Sequence, residues 1–545
     1  MSELRLVPAA AMTWLVTLCV LIGVPRVAVV GACVLGIVFA ATRQWGQLIL
    51  CSAFSAAAAF LASARVRAAQ AFSLGDDLVA TVVAKPKELA SGTWLVKVRA
   101  GGYPAEIPVF AEELQSGVVP GARVVVAGGL RESDRPGVGW FTLNGDVSVV
   151  DPPRGFAAFA AHVRESLAIS VEAHVPDHSQ GLIPGMVLGD TSLQSHAEQD
   201  AYIATGLSHL SAVSGANVAI VATASVMIAR AVGVGLRAQV VAAGVTVFVF
   251  AGLVGAEPSV LRATVTGLVG LVAVLASSNV QPMHALSLAT IALVLFDSDM
   301  AVNYGFALSV AATVGIIALN PMLYRWLART RWPDILVRAL AVAIAADLMT
   351  MPIIALMTGE VSLVSVAANV LVAPATAPVT VLGLIAVLLT LLPGGLEQLL
   401  FFAIQPFTWW IHTIGHGLAA LPNSTTSATP WLVLLGYGWV LAGFMYHRPR
   451  TTLLFVLAAL ILPMLSAPRA PEVDIGQLAT YVVDKQENIE PIPTGTELIV
   501  VLDDEGRPAP RGTRTAGGIP VLFPHRDGEV RVHEDGSQHA ADGRF

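Results

Sequence analysis

Charged side chains nearly vanish from long stretches of this sequence, and that scarcity constrains the fold more than any other feature. From Ser208 to Ser466 the chain is a succession of apolar runs, near 208–229, 238–256, 259–276, 284–297, 301–320, 336–357, 363–392, 399–420, 431–446 and 452–466. A helix needs about 20 apolar residues to cross the hydrocarbon core of a bilayer. Three more runs, Leu6–Val24, Val27–Ala41 and Trp45–Ala64, precede them. The run 363–392 is too long for one plain span and holds Pro374 and Pro378, which predicts a broken or re-entrant helix. Of the 545 residues 13% are charged, against about 25% in soluble proteins. The pattern predicts a polytopic α-helical membrane protein.

One region breaks that pattern. Between residues 72 and 150 short alternating runs appear at 78–83, 94–99, 106–110, 123–127 and 147–150, punctuated by Gly and Pro. Five short strands of this kind predict a small all-β domain of OB-like type. After it, Phe156, Phe159, Val163, Leu167 and Val171 recur at helical spacing. That helix is expected either along the membrane surface or packed on the β domain. The resulting plan is N-terminal membrane helices (1–67), an OB-like domain (68–153), a juxtamembrane linker (154–207), a helical channel domain (208–466) and a polar tail (467–545).

Loop charge orients the chain. Arg230, Arg237, Arg325, Arg329, Arg331, Arg338, Arg448 and Arg450 fall in one set of loops, while Asp297, Asp299 and Glu360 fall in the alternate set. The positive-inside rule places the arginines in the cytoplasm, so the β domain and the tail are expected outside a plasma membrane. The net charge of −7 argues against a broad basic surface for nucleic acid, leaving local contact in a groove or pore. Cys19, Cys33 and Cys51 lie in apolar runs and show neither a disulfide framework nor zinc spacing. No metal or cofactor is expected, and no Gly-x-x-x-x-Gly-Lys loop for a nucleotide is present.

Polar residues inside apolar helices are costly, roughly 2.5–3.5 kcal/mol on insertion scales, and mark packed or water-lined places. Thr205, Ser208, His209, Ser211, Ser214 and Asn217 form one cluster. Read as helix, the serines share a face, either a polar strip along a pathway or hydrogen-bonding glue between helices. Glu257, Ser259 and Arg262 form a second, in which a Glu257–Arg262 pair is the simplest expectation. Asn303, Tyr304 and Ser309 open another span. Asp347 has no charge partner within one turn of its own helix and is followed by Asn369 and Pro374; pairing between Asp347 and Arg262 is expected.

At these residues a family resemblance emerges. Gly189-Asp190, then Thr205-Gly-Leu-Ser-His-Leu-Ser-Ala-Val-Ser214-Gly-Ala-Asn217-Val218, resembles the signature of the ComEC competence proteins, inner-membrane channels for DNA uptake. Pro258-Ser259-Val-Leu-Arg262-Ala263, Gly305-Phe-Ala-Leu-Ser309, and Pro352 with Asn369-Val-Leu-Val-Ala-Pro374 resemble further motifs of that family, in order. The resemblance implies a non-enzymatic channel passing single-stranded DNA into the cytoplasm during natural transformation. His209, Ser214, Asn217, Glu257, Ser259, Arg262, Asp347 and Asn369 are its expected pathway residues. In the OB-like domain, Trp94 and Trp140 can stack on bases while Lys97 and Arg99 meet phosphate; because acidic residues slightly outnumber basic ones there, core aromatics and solvated surface cations are the simpler reading of each. The implied partners are membrane lipid, an extracytoplasmic DNA receptor, a separate nuclease, a cytoplasmic translocation ATPase and a second copy of the chain.

The sequence departs from the family pattern in three ways. Asn217 stands where many members have His and cannot relay a proton. The β domain lacks the cysteines of a disulfide. The tail, in which Val473–Gln477 resembles the first strand of the family's metallo-β-lactamase-like domain, has His525, His533 and His539 but no His-x-His-x-Asp-His set. It is expected to be a remnant strand followed by disorder. Two other readings stand beside the channel: a small-solute or ion transporter using Glu257, Arg262 and Asp347, and a decayed family member with a structural role.

Overall fold

The computed structural model describes residues 4–445, apart from short stretches at 73–76, 90–91, 256, 276–280 and 423, and parts of the chain from 448 to 540. Three apolar helices open it: α1 (Val7–Leu21), α2 (Pro25–Ala41) and α3 (Trp45–Gln70). Pro25 sits in the first turn of α2, where its missing N–H costs nothing.

The β domain follows as β1 (Asp77–Val82), β2 (Lys87–Glu88), β3 (Trp94–Ala100), β4 (Ile107–Ala111), β5 (Arg123–Glu132) and β6 (Phe141–Asp151). Their order is β1-β5-β6-β4-β3-β2, and a further β1–β3 pairing closes the sheet into a barrel. All neighbours are antiparallel except β4 and β6. A five-stranded closed Greek key is the OB-like architecture expected from the alternating runs. The alternation is physical: Val96, Val98 and Ala100 point into the core while Lys97 and Arg99 between them face outward.

The barrel core continues into the helices. Leu21, Ala69, Leu293, Val294, Met300, Ala301 and Phe306 belong to the same buried cluster as the strands. The domain therefore rests on the C-terminal ends of α1 and α3 and on the turn between α11 (Pro282–Phe296) and α12 (Tyr304–Ala318). Polar contacts fix that seat. Trp14 donates its indole N–H to the Ala301 carbonyl at 2.9 Å, and Trp140 donates to the Ala69 carbonyl at 2.9 Å. Arg65 donates to Ser298 and to the Leu295 and Phe296 carbonyls at 2.7–2.8 Å.

The amphipathic stretch is α4 (Phe156–His174). Its Val163, Leu167 and Val171 stripe packs against α6 (Leu182–Leu188), α15 (Ser365–Leu389) and α16 (Glu397–Ala419), so the helical domain buries it. Its start also meets the barrel, where Ala157 lies against Gly121. The short α5 (Asp177–Gln180) and the capped α7 (His196–Ala204) complete this layer.

The remaining helices are α8 (Gly215–Ala231), α9 (Leu236–Val254), α10 (Pro258–Leu275), α13 (Asn320–Leu327), α14 (Asp334–Thr358) and α17 (Pro430–Met445). A two-stranded ribbon of β7 (Glu360–Ser362) and β8 (Thr425–Ser427) lies beside them. Among the described residues, α3, α9, α10, α14 and α15 are each long and apolar enough to cross a bilayer. α12 with the segment Asn320–Thr330 makes a sixth across a 48° bend, and α1, α2, α8 and α11 are shorter apolar helices. The chain is a polytopic helical membrane protein with an inserted OB-like domain.

Two of the expected spans need correction. The stretch 363–392 is not broken: α15 is continuous through Pro374 and Pro378. Each proline forfeits one backbone bond, but Val372, Ala375, Val379 and Ala386 are buried in the cluster built with α6 and α16, which holds the helix together. The bend falls instead between α12 and α13, where Pro321 starts a new helix. The expected span 208–229 starts later, since residues 208–211 form a 3₁₀ turn and α8 begins at Gly215. Most of the expected span 452–466 lies outside the described residues.

The tail also folds. β9 (Thr480–Val483), β10 (Leu498–Val501), β11 (Thr513–Arg514) and β12 (Pro520–Leu522) form a sheet ordered β11-β12-β10-β9, with β9, β10 and β12 parallel. Helix α18 (Pro524–Asp527) and the hairpin β13 (Val530–Val532) and β14 (Gln538–Ala540) follow. Average polarity points to disorder here, but the apolar residues are concentrated in the strands, where Ile499, Val501, Val521 and Phe523 bury one another. Val473–Gln477 and His533 lie outside the described residues.

Candidate substrate pathway in the helical domain

The candidate site grows from the end of α6. Gly189 terminates that helix at φ +72°, a conformation that favours glycine. The chain turns back at Asp190, 4% exposed, whose carboxylate accepts from the Lys85 ammonium at 2.6 Å through both oxygens and from the Ser192 amide at 3.0 Å. Burial alone raises the Asp190 pKa, but the charge and hydrogen bonds of Lys85 and Ser192 outweigh it and hold the carboxyl below its usual range. Ser195 and Glu198 then cap α7 reciprocally.

After α7 the chain leaves α-helical geometry from Thr205 to Ser214. Gly206 turns at φ +68°, and a Cβ there would lie 2.7 Å from that of Ser365. Ser211 accepts from the Gln194 amide at 2.8 Å, and the Val213 carbonyl accepts from the Ser259 hydroxyl at 2.9 Å. The serines therefore do not line one helical face. They sit on a folded segment held by α7, α10 and α15.

Four expected residues converge where α8 begins. Ser214 donates to the Asn217 side-chain oxygen at 2.9 Å, and the buried Asn217 amide donates to the Met186 carbonyl at 2.6 Å. Ser259 anchors α10 to the same segment. Arg262 is 8% exposed; its Nε donates to Ser309 at 2.8 Å, and its Nη2 lies 3.3 Å from where a Gly215 Cβ would be. Ser214 spends its hydroxyl on Asn217 and does not cap α8. A buried guanidinium thus meets an uncapped helix N-terminus, two positive groups side by side.

A second cluster lies at the other end of the folded segment. Ser365 donates to the Asp347 carboxylate at 2.8 Å, and the Asn369 amide donates to the Ser365 carbonyl at 2.9 Å. Gly206 packs on Ser365, so residues 206–215 run from the Asp347 cluster to the Arg262 cluster. The expected Arg262–Asp347 pair does not form, because each bonds a serine hydroxyl instead. Nor does Glu257 pair with Arg262: Glu257 is exposed in the turn between α9 and α10. His209 is also exposed, with Nδ1 3.1 Å from the Gly206 carbonyl.

Sequence reasoning singled out Ser309 but not as the partner of Arg262, and it missed Ser365 altogether. The first ends the Gly305–Ser309 motif in the second turn of α12, and the second opens α15, where a serine signals a helix start. Further polar groups meet between α7 and α16, where Glu198 lies 3.7 Å from His412 and the His412 and His416 rings stack at 4.0 Å. Only tertiary structure joins residues so far apart in sequence.

In the barrel, Lys97 and Arg99 share the Glu106 carboxylate at 3.7 and 3.4 Å on the exposed face of β3. Trp94 and Trp140 are half-buried against the core. An open cleft of about 450 Å³ lies beside Trp140, lined also by Gln70, Glu132 and Ser133.

Residues 186–450 match the family model described as Competence protein. ComE operon protein 3 of Bacillus subtilis (strain 168) is 26% identical over 263 residues, which is 48% of this chain and 33% of that protein. The chain thus spans about a third of the length of the curated relative it matches. No solved structure matches it. The matched region, just under half of the chain, runs from the end of α6 through α17 with both polar clusters inside it, and in that membrane domain the chain is similar to the competence proteins, the ComEC family of the sequence resemblance.

Proposed function

We propose that this chain is a channel that passes single-stranded DNA across the cytoplasmic membrane during natural transformation. The observation that carries the reading is Arg262, buried in the helical domain against the uncapped start of α8, with no ion pair among the described residues. Two positive groups side by side are unfavourable alone and favourable around an anion. A phosphodiester is the anion that a competence-family membrane domain has reason to meet. Ser214, Asn217, Ser259 and Arg262 form the positive station of the pathway. Asp347 and Asn369 form a second polar station, with His209 and Glu257 at exposed positions along it.

Orientation follows from the placement of charge. α12 runs from the barrel to α13, which carries Arg325, while α8 ends at Arg230 and α9 begins beside Arg237. With those arginines in the cytoplasm, the barrel lies outside, where Trp94, Trp140, Lys97 and Arg99 meet incoming strands. The protein supplies a passage and no catalysis; a translocation ATPase, a nuclease and an extracytoplasmic DNA receptor act beside it.

The test is genetic and biochemical. Deleting the gene abolishes uptake of naked DNA while conjugation and electroporation survive, and complementation with Arg262→Ala restores less than a tenth of wild-type transformation. Proteoliposomes carrying the protein admit labelled single-stranded DNA. Unchanged transformation in the deletion strain sinks the reading, and flux of small solutes without DNA favours a transporter.

A further inference from the structure

The barrel and the pathway are joined by one buried carboxylate. Lys85 lies in the turn between β1 and β2, outside the helical domain. Its ammonium reaches both Asp190 oxygens at 2.6 Å and the Ser192 hydroxyl at 2.8 Å. The Asp190 side chain is 3% exposed and that of Lys85 is 44% exposed, so the acid is inside the helical domain and the cation reaches in from the barrel.

From Asp190 the bonds run on without a gap. The Asp190 amide donates to the Pro184 carbonyl in α6, the helix whose Met186 carbonyl holds Asn217. The Asp190 carboxylate also fixes the turn that leads to Gln194, and Gln194 holds Ser211. Beyond Ser211 lie Val213, bonded by Ser259, and Gly215, against Arg262. Arg164 of α4 carries charge near Asp190, but its Nε donates to the Ala160 carbonyl within its own helix.

We propose that Lys85 is a positioning residue for the pathway: its bridge to Asp190 fixes the barrel over the helical domain and holds residues 189–217 in the arrangement that presents Ser214, Asn217 and Arg262. The role of those residues rests on the function proposed above; the bridge itself does not. A carboxylate buried to this degree needs its counter-charge, so removing the ammonium frees the segment to move, whereas a guanidinium replaces it.

The experiment uses the full chain in lipid nanodiscs, with Cys19, Cys33 and Cys51 replaced by Ala and Ser214→Cys as a reporter. The rate of modification by a water-soluble maleimide is measured in this parent and with Lys85→Met, Lys85→Arg and Asp190→Asn. Lys85→Met and Asp190→Asn raise the rate at least fivefold, the pair together no further than either alone, and Lys85→Arg returns it to within twofold. Lys85→Gln serves where Lys85→Met does not reach the membrane. A rate within twofold of the parent in the Lys85 variant, or effects of the two variants that multiply, overturns the proposal. DNA import in cells is read separately. Altered labelling with unaltered import in the Lys85 variants leaves the bridge standing and removes residues 189–217 from the import pathway, whereas unchanged import on deletion of the gene removes the DNA reading itself.

Discussion

The indole nitrogen of Trp140 and the carbonyl of Ala69 are 2.9 Å apart, and this bond pins the barrel to the end of α3. The ring also meets Phe141 edge-on at 5.1 Å. Trp140→Phe keeps an aromatic face and removes the donor. It lowers stability by about 1 kcal/mol and speeds proteolysis within residues 77–151, while single-stranded DNA affinity stays within threefold. Thermal melting, limited proteolysis and a binding titration check the three outcomes.

Asp299 gives the barrel seat a pH dependence. Its carboxylate accepts from the Val138 amide at 2.7 Å. Burial pushes its pKa up to about 6, opposed by that amide and by Arg65 and reinforced by Asp297 and Glu106. A carboxyl raised in the folded state contributes most stability below its unfolded value and loses it as pH climbs through 6. Wild-type protein therefore loses on the order of 2 kcal/mol between pH 4 and pH 7 relative to Asp299→Asn, which keeps the acceptor and cannot ionise. Melting curves of both proteins across that range show the difference or its absence.

Asn217 is a donor facing a carbonyl at 2.6 Å. Asn217→Asp puts an acceptor in the same place at the same size and costs more than Asn217→Ala, which costs about 2 kcal/mol. Comparing the two variants by thermal melting in detergent separates the missing hydrogen bond from the introduced repulsion.

Gly315 lets α12 lie close against α14: a Cβ there would run into the Ala345 carbonyl. Gly315→Ala destabilises the helical domain by about 1–3 kcal/mol. Gly267→Ala, at a position with open space, does not. Expression and melting of the two alanine variants test this.

Lys97 and Arg99 report on phosphate recognition by the barrel. For a single strand, each cation taken away from a phosphate lowers the slope of log affinity against log salt by about 0.7. Lys97→Ala and Arg99→Ala each flatten the slope by that amount, and Glu106→Gln, which frees both cations, raises affinity. A slope unaltered in all three variants excludes phosphate binding at these residues.

Much of the fold was legible because it rests on local periodicity. Alternation at 94–99 placed β3, and the apolar run at 259–276 placed α10 to within a residue or two. The site was less legible because its geometry depends on what faces what. Ser208, Ser211 and Ser214 repeat at helical spacing, yet Gly206 and the packing of Ser365 pull that segment out of helix. Arg262 and Asp347 look complementary in sequence, yet Ser309 and Ser365 are the nearer partners. Pro374 and Pro378 suggested a break that neighbouring side chains prevent, and the tail's polarity hid strands of only two to four residues.

The bond from Trp14 to Ala301 joins residues 287 positions apart, which bears on how this protein is made. The first helices leave the ribosome long before α11 and α12 exist to receive them, and their inner surfaces have no native cover in the interval. The seat of the barrel is therefore complete only once α11 and α12 have been synthesised, although the barrel itself leaves the ribosome well before them.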